Sequence, residues 1–479
     1  MTSRKMRIQP AKDLRSNVRP DTKRCEAMRR VYRCLTIAGS DSSGGAGIQE
    51  DLKTMMALGV HGMSAITSVT AQNTVEVRSV YDIPIDIIKA QIRAVVDDIG
   101  VDAVKTGMLH TSEIIGAVAD ELETIRCPIV VDPVMISKSS TLLLLPEAKE
   151  TLIKRIFPLA TVVTPNAVEA EAISGVRVRN IEEGKRAAEK ISSMGPKSVL
   201  VKGGHIFETD KAVDILLHDG EFTLLVGERY DTKDTHGTGC SFASAIAAGL
   251  AKGLTVTESA SEAKDFVNTS IKYGLRIGKG SGPLNPAAKL FNDAERYMVL
   301  ENIQGAVKML ESCPEVRDLV AEVQMNIGMA LSYSAGIKDV AAIEGRIVKM
   351  RDGVKATGCP RFGASSHVAR TILAVKSFDD FKRAAINLRY GEDIIKALEE
   401  MDLTVSYYDR REEPPEVKSR EGGTTFWGAE QAVRRIGRVP DAIYHVGDWG
   451  KEAMVSIVGE SAEDVASITV ELAKKLGSK

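Results

Sequence analysis

A chain of 479 residues exceeds one ordinary domain, so two or three are expected. Its 44% hydrophobic and 27% charged residues fit a globular protein without a membrane span, and a net charge of −2 argues against a nucleic-acid or membrane partner. Six scattered cysteines with no CxxC pair favour reduced thiols in the cytoplasm over a disulfide or zinc framework.

The first thirty residues hold ten Lys or Arg against three acids, with no apolar segment to make them a secretory signal. Residues 1–30 read as a disordered basic tail or as an over-extended start before Met28; a nucleic-acid-binding arm is the alternative. Residues 31–38 (VYRCLTIA) form a β-branched strand, and GSDSSGGAGI (39–48) is a glycine-rich turn opening a helix. A second strand at 62–71 ends in Gln72-Asn73-Thr74. A helix over 84–99 leads to a short strand at 103–105, broken by Thr106-Gly107-Met108. Strands at 128–132 and 160–164 stop at Asp132-Pro133 and Thr164-Pro165-Asn166. A helix at 181–194 precedes a strand at 198–202, and a hairpin covers 212–217 and 221–227. Strands alternating with helices imply a mainly parallel sheet covered on both faces. Ligands of such sheets sit outside the carboxyl ends of the strands. Asp41, Gln72, Met108, Asp132, Asn166 and Lys202 all fall there, so they are read as one site.

Residues 231–241 read DTKDTHGTGCS, followed by a run of small apolar residues. Gly237, Thr238 and Gly239 permit a tight turn into a helix, whose N–H groups and positive dipole end favour an anion. The same field favours the thiolate of Cys240. An anion hole beside an activated thiol fits phosphoryl transfer; a glycine-rich cap over a buried Cys is the alternative. GSDSSGGAGI lacks both the Lys-Ser/Thr of a P-loop and the Rossmann spacing. Asn166 and Glu169, three apart at a helix start, either hold Mg²⁺ through water or form an N-cap with a solvated Glu. Lys202 either contacts phosphate or ends a strand.

The segments TIAGSDSSGGAGIQEDLKT, TSVTAQNT, KTGML, VVDPVM, TPNAVEAE, VKGGH and DTKDTHGTGCSFASAIAAG together resemble the ribokinase-like family, in particular the hydroxymethylpyrimidine/phosphomethylpyrimidine kinases of thiamine biosynthesis. The resemblance implies a kinase domain over 31–292, with Cys240 as catalytic base and Gly237, Thr238 and Gly239 as the anion hole. It implies that Asp51 and Gln72 bind the pyrimidine, with Met108 and Val134 packing its ring. Asn166 and Lys202 then serve ATP, and Asp132 and Glu169 organise Mg²⁺. ATP would phosphorylate the alcohol and then the monophosphate. Family habit implies a homo-oligomer.

After Pro286 the pattern changes to a unit of mixed α/β character. A helical stretch is expected over 292–329, broken near Cys313-Pro314, then a strand at 341–348, a turn at 358–366 and a helix at 367–375. Further strands are expected at 384–388, 403–408 and 442–445. Ser365, Ser366, His367 and Arg370 gather hydroxyls and basic groups at a helix start, where a phosphate fits. A strand-edge charge is the alternative for Arg346, and a helix-cap histidine for His367. The segments MNIGMALSYSAG, IEGRI, GCPRFGASSHVAR, AAINLRYGEDI, SYYDRREEP, TTFWG and VGDWGKEAM resemble the archaeal-type thiamine-phosphate synthase domain. This implies a synthase over 293–479, joining the pyrimidine pyrophosphate to hydroxyethylthiazole phosphate with Arg346 and His367 essential. Lys355, Arg361, Asp409 and Arg410 are secondary candidates. The alternative is a domain that senses thiamine phosphate without turnover, and a third possibility is a kinase for pyridoxal-type substrates.

Overall fold

The computed structural model describes residues 30–136, 142–204, 211–334, 336–418, 422–448 and 452–478. The basic stretch before Arg30, His205 and Trp449 lie outside them. The chain divides into two compact units, one of residues up to 267 with 276–283, the other of 268–275 with residues from 284 onward.

The first unit is built on β1 (Arg33–Asp41), β2 (His61–Gln72), β3 (Val77–Asp82), β4 (Ala103–Thr106), β5 (Ile129–Val131), β6 (Val162–Val163), β7 (Ser198–Lys202), β8 (Lys211–His218) and β9 (Glu221–Glu228). They form one sheet in the order β3-β2-β1-β4-β5-β6-β7-β8-β9. It is parallel from β2 to β7, with β3, β8 and β9 joined antiparallel. The central strands are short apolar runs because both faces are covered. Leu35, Ile37, Val104, Ile129 and Val131 enter one core with the helices of one face. Their neighbours Thr36 and Lys105 point to the other face and meet Asp51 of the helix Gly47–Ala57. Strand order reverses between β1 and β4, which opens a crevice at their carboxyl ends. The edge strand β3 was not anticipated: VRSVYD has no buried face to give a periodic signal, and its pairing with β2 defines it.

The second unit holds β10 (Ile327–Ala330), β11 (Val340–Ile343), β14 (Pro360–Phe362), β15 (Ala384–Arg389), β16 (Val405–Tyr407), β17 (Ala442–His445) and β18 (Met454–Gly459), in the order β14-β11-β10-β15-β18-β17-β16. A separate ribbon pairs β12 (Ile347–Met350) with β13 (Gly353–Ala356). Period-two alternation divides the sheet's faces. Ile327, Ile386, Leu388, Val455 and Ile457 pack with Val299 and Ile303 of the helix Ala288–Glu311 and Val465 and Leu472 of the helix Ala462–Gly477. Ala330, Ala385, Ile443 and Val458 instead meet Ala369 and Ile372 of the helix Ser366–Lys376 and Ala429 and Ala432 of the helix Gly423–Ile436.

Two expectations need correction here. The helical stretch breaks at Cys313-Pro314 as expected and resumes as a short 3-10 helix over Pro314–Leu319, but residues 327–330 are a fully buried strand rather than its end. The single strand at 341–348 is two strands, because Gly345 takes φ +83° and turns the chain out of the sheet at Arg346.

Candidate active sites

In the first unit two glycine loops interlock. Gly237 has φ +82° and caps the helix Thr238–Ala251; a Cβ there would come 2.0 Å from the carbonyl oxygen of Gly45. A Cβ on Gly45 would in turn lie 2.4 Å from Cδ2 of His236. Every residue from Ser241 to Ala251 is buried, which holds the helix N-terminus in place. Its first turn presents the amides of Gly239 and Cys240, donors a helix cannot satisfy internally, while the Thr238 amide reaches the Thr235 carbonyl at 3.4 Å. A Cβ on Gly239 would sit 3.1 Å from Lys202 Nζ and 3.4 Å from Asp132 Oδ2, so this turn abuts a charged pair.

That pair spans the ends of β5 and β7: Lys202 Nζ donates to Asp132 Oδ1 at 2.8 Å, and Thr164 Oγ1 donates to the same atom at 3.2 Å. Asn166 and Glu169 form a reciprocal capping box, Asn166 N donating to Glu169 Oε2 at 2.8 Å and Glu169 N to Asn166 Oδ1 at 2.9 Å. The sequence left an N-cap and a metal partner as alternatives; the cap is present, and its carboxylate is buried rather than solvated. Burial lifts Glu169 to about 7, with Lys202 opposing and Asp132 adding to the rise. For Lys202, burial pulls down, but Asp132 and Glu169 outweigh it and leave the ammonium raised. Among the described residues no three His, Cys, Asp or Glu side chains converge on a metal position. Two buried carboxylates beside a helix N-terminus fit a Mg²⁺ that keeps most of its waters and takes phosphate oxygens. Val134 is half-buried, its N–H bonded to the carbonyl of Asp132.

Asp51 departs from its expected role. It is fully buried and accepts from Thr36 Oγ1 (2.6 Å), Ser244 Oγ (2.7 Å) and Lys105 Nζ (2.8 Å), so it is closed off from a substrate and fixes Lys105 instead. Burial disfavours the Lys105 ammonium, but Asp51, Cys240 and Asp132 outweigh it and raise its pKa. Gly107 makes room: a Cβ there would stand 2.7 Å from Lys105 Nζ. In the sequence Lys105 stands only as the end of a strand, although a lysine within AVKT is a visible signal. Cys240 is half-buried, and its surroundings on balance oppose the expected thiolate. Burial pushes the thiol up to about 12, Asp51 and Asp132 adding to the rise, while Lys105 and the Gly47 amide oppose it.

At the β1–β4 crevice, Asp41 accepts from Ser43 N and Ala46 N, each at 2.8 Å, and pairs with His236 Nε2 at 3.0 Å. Burial opposes the Asp41 carboxylate, yet the bonds from His236 and Ser43 hold its pKa below the usual value. Gln72 Nε2 lies 3.2 Å from His236 Nε2. Met108 is buried beside Gly39, its carbonyl held by Thr67 Oγ1 at 2.8 Å. His236 was missed as a site residue; its place between Thr235 and Gly237 was the only hint.

In the second unit the register brings the candidates to one end of the sheet. Ile343, Ile327, Arg389, Met454, His445 and Tyr407 all terminate strands there. Arg346 follows Ile343, bonded through its backbone to Thr357 and through Nη1 to the Gly345 carbonyl at 2.8 Å. His367 is exposed in the first turn of the helix Ser366–Lys376, which crosses the sheet where Val368 packs on Gly328. His445 is buried; burial, then the charges of Arg410 and His367, push it down to about 4, so it is neutral. Lys355, Arg361 and Asp409 form surface ion pairs with Glu311, Glu344 and Arg411.

Comparison with known proteins gives two family matches: phosphomethylpyrimidine kinase over residues 41–285, and thiamine-phosphate synthase ThiN over residues 302–471. The hydroxymethylpyrimidine/phosphomethylpyrimidine kinase of Streptomyces coelicolor is 49% identical over 251 residues, 52% of this chain and 93% of that protein. The thiamine biosynthesis bifunctional protein ThiED of Geobacter sulfurreducens is 46% identical over 252 residues, 52% of this chain and 51% of that protein. Among solved structures, the ADP complex of Bacillus subtilis pyridoxal kinase matches with TM-score 0.51 and 40% identity, covering 54% of this chain and 98% of that one.

Proposed function

The chain belongs to the phosphomethylpyrimidine kinase family and carries a thiamine-phosphate synthase domain behind the kinase; from that premise we propose a two-site enzyme whose kinase site makes the diphosphate that its synthase site consumes. It is an enzyme of thiamine biosynthesis. The observation that carries the kinase reading is the first turn of the helix Thr238–Ala251 set against Lys202 and Asp132.

ATP supplies the phosphoryl group in both transfers, with Asn166 and Lys202 at its phosphates. Gly237, Thr238, Gly239 and Cys240 offer amides to the transferring group, whose charge spreads over its equatorial oxygens. Asp132 and Glu169 hold Mg²⁺, which supplies charge neutralisation at the phosphates when bound. Gln72 meets the aminopyrimidine edge, and Met108 and Val134 pack its ring. Asp51 serves through Lys105, whose ammonium favours the Cys240 thiolate. That thiolate takes the proton of the attacking hydroxyl.

In the synthase half, the methylene–oxygen bond breaks and its electron pair leaves on pyrophosphate. The thiazole nitrogen supplies the pair for the new carbon–nitrogen bond, so no net proton moves. Arg346 and His367 neutralise and hydrogen-bond the departing pyrophosphate. The protein acts in the cytoplasm as a homo-oligomer.

Purified protein given hydroxymethylpyrimidine, hydroxyethylthiazole phosphate, ATP and Mg²⁺ should form thiamine phosphate. Accumulation of the pyrimidine pyrophosphate without thiamine phosphate would reduce the second half to a sensor. The likeness to pyridoxal kinase makes pyridoxal the alternative acceptor to include in the same assay.

A further inference from the structure

Beyond β16 the turn carrying Arg410 and Glu413 holds polar groups that no described residue satisfies. Glu413 is 5% exposed, and neither of its carboxylate oxygens has a hydrogen-bond partner among the described residues. Arg410 Nε is buried and equally unpartnered among the described residues. Burying a carboxylate without a donor is unfavourable, so this arrangement calls for a partner. The surroundings are aromatic: the buried Tyr408 ring lies 5.1 Å from His445 and edge-on to Trp427 at 6.1 Å. The charges of Arg410 and Glu413 both act on Tyr408, and those of Arg410 and His367 both act on His445. The turn therefore belongs to the same end of the sheet as His367.

An acceptor and a donor from one turn, beside aromatic rings, match the edge of a 4-aminopyrimidine, which offers an exocyclic N–H next to a ring-nitrogen acceptor. We propose that Glu413 and Arg410 recognise the aminopyrimidine of the diphosphate substrate, Glu413 accepting from the exocyclic amine and Arg410 Nε donating to the adjacent ring nitrogen. This rests on the synthase reading. A carboxylate at that amine also strengthens electron release into the ring, which supports the electron-poor methylene as pyrophosphate departs.

The test uses the full chain without ATP, so that the kinase site is silent, and supplies pyrimidine pyrophosphate and thiazole phosphate directly. Aminopyrimidine methyl phosphate and its counterpart lacking the amine are compared as competitive inhibitors of thiamine phosphate formation. Wild type should prefer the amine-bearing inhibitor by about 10-fold or more. Glu413→Ala should bring that ratio close to one. The isosteric Glu413→Gln, which opens no cavity, should lower it at least about 3-fold. A wild-type ratio near one, or an unchanged ratio in both variants, overturns the proposal. Absence of any thiamine phosphate from wild type removes the synthase reading, and the proposal with it.

Discussion

Glu169 costs the ligand-free fold stability. Its pKa is raised from 4.5 to about 7, chiefly by burial. An acid whose folded pKa is raised gives stability that is fully present below the unfolded value and lost as pH rises through the folded one. Glu169→Gln should therefore stabilise the Mg²⁺-free first unit by about 1–3 kcal/mol at pH 8, with no difference below pH about 4.5. Urea melts at the two pH values check this, and a variant less stable at pH 8 would contradict it. Cys240 gives a second test. With its thiol pushed up to about 12, the thiolate fraction rises with pH throughout the working range. Kinase turnover should climb close to tenfold per pH unit from about 7 to 9 without a plateau, and Cys240→Ala should lose about 10²–10⁴-fold together with that slope. A plateau below pH 8 would remove the raised thiol as the base.

At the scale of elements, the two glycine loops act as one part. Gly237 has φ +82° and stands where a Cβ would press 2.0 Å from the Gly45 carbonyl oxygen. Gly237→Ala adds about 1–2 kcal/mol of backbone strain and also forces the loops apart. The anion hole should open, with ATP turnover falling by at least about 10-fold and stability by at least that strain. Gly204→Ala is a useful comparison: it also has positive φ, at +52°, but no atom of the described residues lies within 4 Å of its added Cβ. It should show the strain without the displacement. Equal losses of turnover in the two variants would show that loop contact is not what matters.

At the scale of the molecule, each unit has its own sheet and hydrophobic core. Arg346→Ala and His367→Ala should each stop thiamine phosphate formation and let pyrimidine pyrophosphate accumulate, while kinase turnover stays within about twofold of wild type. A parallel loss of kinase turnover would reveal energetic coupling between the units. The sequence by itself determined the alternating α/β pattern, the glycine loop entering a helix, and the strand ends carrying Asp132, Asn166 and Lys202. Those features are local: β-branched runs, turn residues and caps are written into adjacent positions. Tertiary structure alone decided what depends on residues far apart in the chain. Asp51 proved to be sealed by Thr36, Lys105 and Ser244, His236 was joined to Asp41 across 195 positions, and Cys240 was set among groups that on balance raise its pKa. Solvent exclusion and charge proximity set those outcomes, and both arise only when the sheet brings separate strand ends together.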